Sequence, residues 1–190
     1  EYWAGDDDIH DPFNQQIIQA PARLHSNGVE IYLMHGNRDF LMGEVLAKAC
    51  GAYLLPDPSL CLIHGNPALL MHGDTLCSDD TDYMTFRAQV RTPAWQAAFL
   101  SQPLTQRKAQ IEQMRTQSKQ AQSRKKTEIM DANPESVINT FRNHNFPRLI
   151  HGHTHRPARH EYEVEQYRCE RWVLPDWYEQ GGYLRCDEYG

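Results

Sequence analysis

The chain has 190 residues, of which 40% are hydrophobic, and a formal net charge of −6. This composition fits a globular domain with a buried core, and it excludes disordered and fibrous proteins. No apolar run approaches the roughly 18–20 residues that cross a bilayer, so the sequence predicts no membrane-spanning helix.

The five cysteines are scattered along the chain and include no C-x-x-C pair: Cys50, Cys61, Cys77, Cys169 and Cys186. This spacing predicts reduced thiols in a cytosolic protein rather than a disulfide framework or a zinc knuckle. Cys77 follows a histidine motif and could be read as a nucleophile, but the sequence shows no group that would activate its thiol.

Helices and apolar runs alternate along the first two thirds of the chain. The pattern predicts helices over residues 15–24 and 43–50, and another over residues 135–142 after Pro134. A hairpin is predicted within residues 161–174, with further strand structure around residues 183–186.

Three short apolar runs each end in a polar turn that contains histidine. Residues 29–34, 68–71 and 148–150 run into HGNRD, HGDT and HGHTH respectively. An apolar strand followed by Gly and polar residues places functional groups at its carboxyl end, where open α/β sheets form their sites.

A basic segment, residues 81–130, interrupts this pattern. It contains nine Lys or Arg against three Asp or Glu, a net charge of +6, which leaves −12 for the remainder of the chain. Pro93 and Pro103 divide it into short helices, with Phe86 and Val90 on one face and Trp95 and Phe99 on another. From the residues alone, it is either an ordinary helical insertion or a cap whose apolar face takes lipid while its cations meet phosphate.

The candidate ligands are neutral nitrogen and amide-oxygen donors at strand ends: Asn37, His72, His153 and His155. Divalent cations such as Mn²⁺ accept these donors, above all with carboxylates beside them. A single histidine at a strand end is more often structural. The order G-N-R-D, H-G-D and G-H-T-H, each behind an apolar run, is much more specific.

With these motifs the chain resembles the calcineurin-like metallophosphoesterases. That family's pattern is D-x-H, G-D, G-N-H-[DE], H-G-[DH] and G-H-x-H, and its last three blocks match residues 36–39, 72–74 and 152–155. Arg38 stands where most of the family has a histidine that protonates the leaving group. Since arginine is a poor proton donor but clamps phosphate oxygens well, this replacement favours a substrate with a good leaving group, such as a pyrophosphate.

The sequences around these blocks are MHGNRDF, MHGDTLCSDD, IMD and LIHGHTHRP. They resemble those of the UDP-2,3-diacylglucosamine diphosphatase family, which acts in lipid A biosynthesis in Gram-negative bacteria. The resemblance implies hydrolysis of UDP-2,3-diacylglucosamine to lipid X and UMP, by metal-activated water that attacks the α-phosphorus. It also implies two Mn²⁺ ions, an acyl-chain pocket in the helical insertion, and a peripheral position on the anionic cytoplasmic face of the inner membrane.

The resemblance also implies roles for individual residues. Asn37, His72 and His153 would bind one Mn²⁺ and His155 the other, while Asn37, Arg38 and His153 would serve catalysis. The substrate contacts that it implies are Asn37, Arg38, Asp80, Ser118, Gln122, Lys125 and His153. Gln122 stands where relatives often have Asn, which lengthens the arm of that contact.

The first two blocks of the family pattern have no match in a proper setting. Asp8-Ile9-His10 and Gly5-Asp6 match D-x-H and G-D by letter, but they lie in an acidic loop that no apolar strand precedes. The sequence therefore predicts that these are decoys and that the chain begins beyond the bridging Asp. Without a carboxylate between two cations, we expect no stable two-metal centre, little turnover and a marginal fold with an exposed strand edge.

The predicted fold is α/β: a metallophosphoesterase β-sandwich flanked by helices, with its first two strands missing. Residues 1–80 and 131–190 would form this partial core, and residues 81–130 the inserted cap. Two alternatives stay open, another phosphodiesterase or nucleotide hydrolase of the same fold and a non-catalytic metal-binding remnant. Nucleic-acid binding is disfavoured, because the basic segment is amphipathic and the rest of the chain is acidic.

Overall fold

The computed structural model describes residues 2–122, 129, 131–145, 147–178 and 181–188. The chain divides into two compact units, residues 1–56 with 82–125 and residues 57–81 with 126–190. Helices and strands alternate in it, which confirms the predicted α/β class.

The first unit holds a two-stranded parallel sheet with helices around it. Strand β1 pairs with β2 in register from Ile31 with Ala52 to Met34 with Leu55. The α-helices and strands of this unit are α1 (Pro12–Ser26), β1 (Ile31–Met34), α2 (Glu44–Cys50), β2 (Ala52–Leu55), α3 (Thr81–Val90), α4 (Pro93–Leu100) and α5 (Leu104–Gln122).

Capping residues set the ends of these helices. The Asp11 carboxylate accepts a hydrogen bond from the Phe13 N–H at 2.9 Å, directly before Pro12 at the first position of α1. Helix α2 ends at Gly51, whose φ of 65° suits glycine. A side chain at this glycine would also collide with the His25 ring, since a Cβ atom there would lie 2.3 Å from it.

Within the first unit, one hydrophobic core joins the helical insertion to residues 1–56. Trp3, Ile18, Leu46 and Cys50 are buried in the same cluster as Phe99 of α4. Thr92 caps α4 by accepting from the Trp95 N–H, and the preceding helix ends beside it, as the prolines predicted. The helix that follows Pro103 is not short as predicted, since α5 has 19 residues. The insertion therefore packs on residues 1–56.

The second unit is a five-stranded mixed sheet with one helix packed on it. The strand order is β3-β4-β5-β7-β6, with β4, β5 and β7 parallel and the pairs β3–β4 and β6–β7 antiparallel. The elements are β3 (Ser59–Ile63), β4 (Asn66–Met71), α6 (Pro134–Asn143), β5 (Arg148–His151), β6 (Ala158–Val164) and β7 (Tyr167–Val173).

Helix α6 covers one face of this sheet. The Asn133 side chain caps it by accepting from the N–H groups of Glu135 and Ser136 at 2.9 and 3.0 Å. Val137 and Phe141 on its inner face are almost fully buried against the apolar residues of β4 and β5. The core of this unit thus lies directly behind the strands that carry the histidine loops.

The structure confirms most of the predicted elements. The three apolar runs are strands β1, β4 and β5, the three predicted helices are α1, α2 and α6, and the hairpin is β6–β7. Strand structure around Tyr183–Cys186 was wrong, because the described residues 181–188 contain only irregular backbone and a turn. Strands β2 and β3 were not predicted. No described helix is long and apolar enough to cross a membrane.

The unit boundaries fall near the ends of the predicted insertion, at residues 81–82 and 125–126. In the structure the insertion shares its compact unit with residues 1–56, whereas residues 57–81 belong with the C-terminal segment. The assignment of residues 81–130 as a separate cap domain stays a prediction.

Candidate metal and phosphate site

Two histidine loops meet at one edge of the second unit's sheet. Strands β4 and β5 are parallel neighbours with Met71 opposite His151, so the loops that follow both strands leave the same edge. The Gly152 N–H donates to the His72 carbonyl at 3.0 Å, which ties the two loops together by their backbones. The amide of His72 also donates to the Asp57 carboxylate at 3.1 Å.

The side chains of His72 and His153 lie in direct contact. His153 Nδ1 is 3.1 Å from His72 Nε2, and the rings meet edge to face with centroids 4.9 Å apart. Two histidine nitrogens about 2.0–2.1 Å from one cation would stand roughly 2.9 Å apart at a right angle and about 3.4 Å apart at the tetrahedral angle. The observed separation falls between these values, so the pair fits two ligands of one divalent cation.

The backbone of the second loop is held in an uncommon conformation. His153 and His155 have φ angles of 63° and 53°, in the left-handed region that side chains other than Gly rarely occupy. Such strain persists only where the surrounding structure imposes it, and it concentrates at functional sites. The conformation marks a tightly constrained loop.

His151 supports the loop from below. It is 1% exposed, and Arg171 Nη1 donates to its Nε2 at 3.2 Å, so the proton lies on Nδ1, which donates to the Gly152 carbonyl at 2.9 Å. Burial lowers the pKa of His151 to about 4. Gly73, at φ 106°, passes against this ring, and a Cβ atom there would lie 2.6 Å from Nδ1. Gly73 of the H-G-D motif thus leaves room for a neutral structural imidazole.

His155 has a different environment from the histidine pair. It is exposed, its Nδ1 lies 3.7 Å from an Asp176 carboxylate oxygen, and its ring contacts Tyr178 with centroids 5.8 Å apart. Among the residues that the structure describes, no three His, Cys, Asp or Glu side chains group closely enough to hold a metal ion. The structure therefore brings His72 and His153 together, and the role of His155 at a second cation stays a prediction.

Asn37 and Arg38 lie in a tightly held loop of the first unit. The Gly36 N–H donates to the Asp39 carboxylate at 2.5 Å, and Arg91 Nη2 donates to the Gly36 carbonyl at 2.9 Å. The Trp3 N–H donates to the Arg38 carbonyl at 3.0 Å. Burial raises the pKa of the Asp39 carboxyl. The Arg38 side chain itself is exposed, which suits a guanidinium that is to meet a phosphate.

The carboxylates of the acidic loop near the start of the chain make structural contacts, and the decoy interpretation of this loop stays a prediction. Asp6 accepts from Trp3 Nε1 at 3.0 Å and from the N–H groups of Gly43 and Val45 at 2.9 and 2.8 Å, where α2 begins. Asp7 pairs with Arg107 of α5.

Asp8 makes a comparable contact, since it lies 2.6 Å from Lys108 Nζ and is buried. His10 is exposed. These carboxylates fasten the acidic loop to α2 and α5 within the first unit.

The residues that the resemblance assigns to substrate differ in what the structure shows of them. Asp80 follows the 74–76 turn in the second unit, and Ser118 is exposed on α5. Gln122 ends α5, but its side chain lies outside the described part of the chain, as does the whole of Lys125. Their substrate contacts stay predictions.

The structure disfavours Cys77 as a nucleophile. Its thiol is 2% exposed, and burial together with the nearby Asp131, Asp74 and Asp80 carboxylates raises its pKa to about 12. A thiol that stays protonated at neutral pH attacks poorly. All five cysteines are free thiols, as the sequence predicted.

Sequence reasoning missed several supporting residues. Asp57, Arg91 and Arg171 hold the backbones or side chains of the three motif loops, yet none of them belongs to a motif. Of these three, only Arg171 could have been recognised from the sequence. It alternates with Cys169 and Val173 along β7, so the strand periodicity places it on the face that points to the core.

Comparison with known proteins places the chain among enzymes of one name. It is 49% identical to the UDP-2,3-diacylglucosamine hydrolase of Aromatoleum aromaticum over 190 residues, which are 100% of this chain and 77% of that protein. It is 47% identical to the proteins of the same name from Cellvibrio japonicus, over 99% of this chain and 78% of that protein, and from Hahella chejuensis, over 100% and 78%.

No family model matches the chain. The alignments to these relatives nevertheless cover the whole chain, and so include both histidine loops, the G-N-R-D loop and the helical insertion. The chain therefore belongs to the UDP-2,3-diacylglucosamine hydrolase family.

Proposed function

We propose that the site residues of this chain serve hydrolysis of the pyrophosphate bond of UDP-2,3-diacylglucosamine, a reaction that releases UMP and 2,3-diacylglucosamine 1-phosphate, which is lipid X. The observation that carries the proposal is the 49% identity, over the full chain, to a protein named for hydrolysis of this substrate. The juxtaposed His72 and His153 support it, since they offer two imidazole nitrogens at the spacing of cation ligands.

Mn²⁺ is the cation that we propose for the site. His72 and His153 would hold one ion together with Asn37, and His155 would bind the second. When bound, such cations lower the pKa of a coordinated water and neutralise charge on phosphate oxygens. The imidazole and amide donors suit Mn²⁺, a borderline cation that also accepts oxygen ligands.

The chain's own residues would orient the substrate and stabilise its charge. Arg38 would donate in a bidentate manner to phosphate oxygens, where negative charge grows as the bond to the leaving phosphate breaks. This leaving group is a phosphate, which departs without a proton from a general acid. Because no proton donor is needed, an arginine can stand at the position where other metallophosphoesterases carry a histidine.

The helical insertion would supply the specificity for the lipid. Asp80, Ser118, Gln122 and Lys125 would contact the substrate, and the apolar sides of the insertion would hold the acyl chains. The enzyme would work in the cytoplasm, peripherally bound to the anionic inner leaflet of the inner membrane, where the basic insertion meets lipid headgroups.

The test is Mn²⁺-dependent release of UMP from UDP-2,3-diacylglucosamine in mixed micelles. We expect His72→Ala and Arg38→Ala to abolish release and His10→Ala to preserve it, because His10 is an exposed residue of the acidic loop. Loss of activity in His10→Ala would instead show that the acidic loop provides ligands.

A second substrate separates the alternatives. Hydrolysis of a soluble phosphodiester without hydrolysis of the lipid substrate would favour a general phosphodiesterase. No turnover of either substrate, with Mn²⁺ still bound, would favour a non-catalytic metal-binding protein.

A further inference from the structure

A small pocket lies beside the 153–155 loop, within the second unit and on the side of β6 and β7. Its volume is about 230 Å³. At about 30 Å³ for each water molecule, this is the space of roughly eight waters, enough for a hydrated phosphate group. The lining residues are Asp131, Thr154, Arg156, Pro157, Ala158, His160, Arg171 and Val173.

Arg171 is the central feature of this pocket. It is 6% exposed, its Nε donates to the Tyr162 hydroxyl at 3.0 Å, and its Nη1 donates to His151 Nε2 at 3.2 Å. Both partners are neutral groups, and no carboxylate of the described residues forms an ion pair with this guanidinium. A buried charge without a counter-ion is costly, so such groups are nearly always paired with a residue or with a ligand.

Some donors of Arg171 have no partner among the described residues. Its Nη2 makes no hydrogen bond to any residue in the described ranges, although Arg171 lines the pocket. Thr154 lines the same pocket, and its buried hydroxyl likewise has no partner among the described residues. A guanidinium edge and a hydroxyl together form a donor set for an oxyanion.

The charge in the pocket walls favours an anion as well. Arg156 is paired with Asp131, so these two charges offset each other and leave the charge of Arg171 in excess. Arg171 also lowers the pKa of His160, after the larger effect of burial, which keeps this imidazole neutral at neutral pH.

We propose that this pocket binds a phosphate-type oxyanion through the Arg171 guanidinium and the Thr154 hydroxyl. The bound group is either free inorganic phosphate or the phosphate of a nucleoside monophosphate. This site is separate from the cation pair, which lies on the His153 side of the same loop, and its occupancy requires no metal. It therefore goes beyond the proposed reaction and can be tested whether or not that reaction takes place.

The experiment is isothermal titration of the full chain with inorganic phosphate, and separately with UMP, in the presence of EDTA. EDTA removes divalent cations, so phosphate cannot bind through a cation at the histidine pair, and the Arg171 and Thr154 variants separate the pocket from any binding at Arg38. We expect Arg171→Lys to weaken phosphate binding by about tenfold or more, because lysine keeps the charge but loses the planar fork. Arg168→Met is the matched control, since Arg168 is an exposed arginine of the same strand, and it should bind phosphate as the unchanged chain does.

A second variant keeps the proposal testable if Arg171→Lys fails to fold. Thr154→Val preserves the shape of the side chain and removes its hydroxyl, so phosphate binding should weaken several-fold. Tighter binding of UMP than of phosphate would identify a nucleotide as the ligand, and the reverse would identify the free ion. The proposal is overturned if the unchanged chain shows no binding of either at millimolar concentration, or if Arg171→Lys and Thr154→Val both bind as the unchanged chain does.

Discussion

Arg107 provides the sharpest test of how the insertion is attached to the rest of the first unit. Its side chain is 1% exposed, and it donates to the carbonyls of Ala4 and Gln102 and to the Asp7 carboxylate. Arg107→Met keeps most of the aliphatic stem and removes every donor. We therefore expect the variant to retain the packing of α5 while it leaves two inward-facing carbonyl groups without partners.

The magnitude follows from those two groups. An unsatisfied buried acceptor costs about 1–3 kcal/mol, and Ala4 is fully buried while Gln102 is partly so, which gives about 3 kcal/mol in total. Asp7 is 58% exposed and returns to water, so its lost ion pair adds little. In urea, with a slope of about 1–3 kcal/mol per molar, this loss lowers the unfolding midpoint by roughly 1–3 M.

The assay is urea unfolding followed by circular dichroism, with Lys119→Met as the control. Lys119 is an exposed cation on the same helix, so its replacement changes the net charge equally and should lower the free energy of unfolding by less than about 0.5 kcal/mol. If Arg107→Met lost no more than Lys119→Met, the buried guanidinium would not fasten the insertion and the reasoning above would be refuted.

Three further predictions follow from single side chains. The pKa of His151 is about 4 in the folded chain and 6.5 in the unfolded chain, so the unfolded chain binds a proton first as the pH falls. Between pH 7.5 and 5, the free energy of unfolding measured in EDTA should therefore fall by about 2 kcal/mol. The fall should be clearly smaller in His151→Gln, which has no imidazole to titrate. Cys77→Ala should release UMP at the same rate as the unchanged chain, because the buried thiol stays protonated. A large loss of activity in this variant would show that the thiol takes part in the reaction. Asp6→Ala should lower the free energy of unfolding, measured by thermal denaturation, by about 1–2 kcal/mol. Asp6→Asn should lower it by less, because Asn keeps one acceptor for the N–H groups at the start of α2. Equal losses in the two variants would show that Asp6 does not cap α2.

The sequence predicted the histidine pair for a simple topological reason. Carboxyl ends of parallel neighbours share one sheet edge, so two apolar runs that each end in His-Gly have to bring their histidines close once β4 and β5 pair. Strands β2 and β3 escaped prediction although the predicted strands β1 and β5 are no longer than these. Strand β2 directly follows the end of α2 at Gly51 and reads as part of that helix end, and β3 lies between two turns.

Buried polar residues were the other failure of sequence reasoning. Arg107 and Arg171 read as surface cations, since arginine is almost never fully buried unless it is paired. Their burial depends on partners far along the chain, such as the Ala4 carbonyl and the His151 ring, which no local pattern contains. The family resemblance assigned roles to the motif residues but gave no information about these supports.

The insertion and the Arg38 loop are mechanically connected, which bears on how lipid recognition can affect catalysis. Phe40 follows the G-N-R-D motif directly, and its ring lies 6.2 Å from that of Trp95 on α4, which stacks on Phe99. Arg91, between α3 and α4, lies over the Phe40 ring and also donates to the Gly36 carbonyl. Because close-packed interiors transmit displacement rather than absorb it, a shift of α4 on binding of the proposed acyl chains would move the backbone that carries Arg38. The same side chains that make the insertion a stable part of the first unit thus couple it to the guanidinium proposed to hold the phosphate.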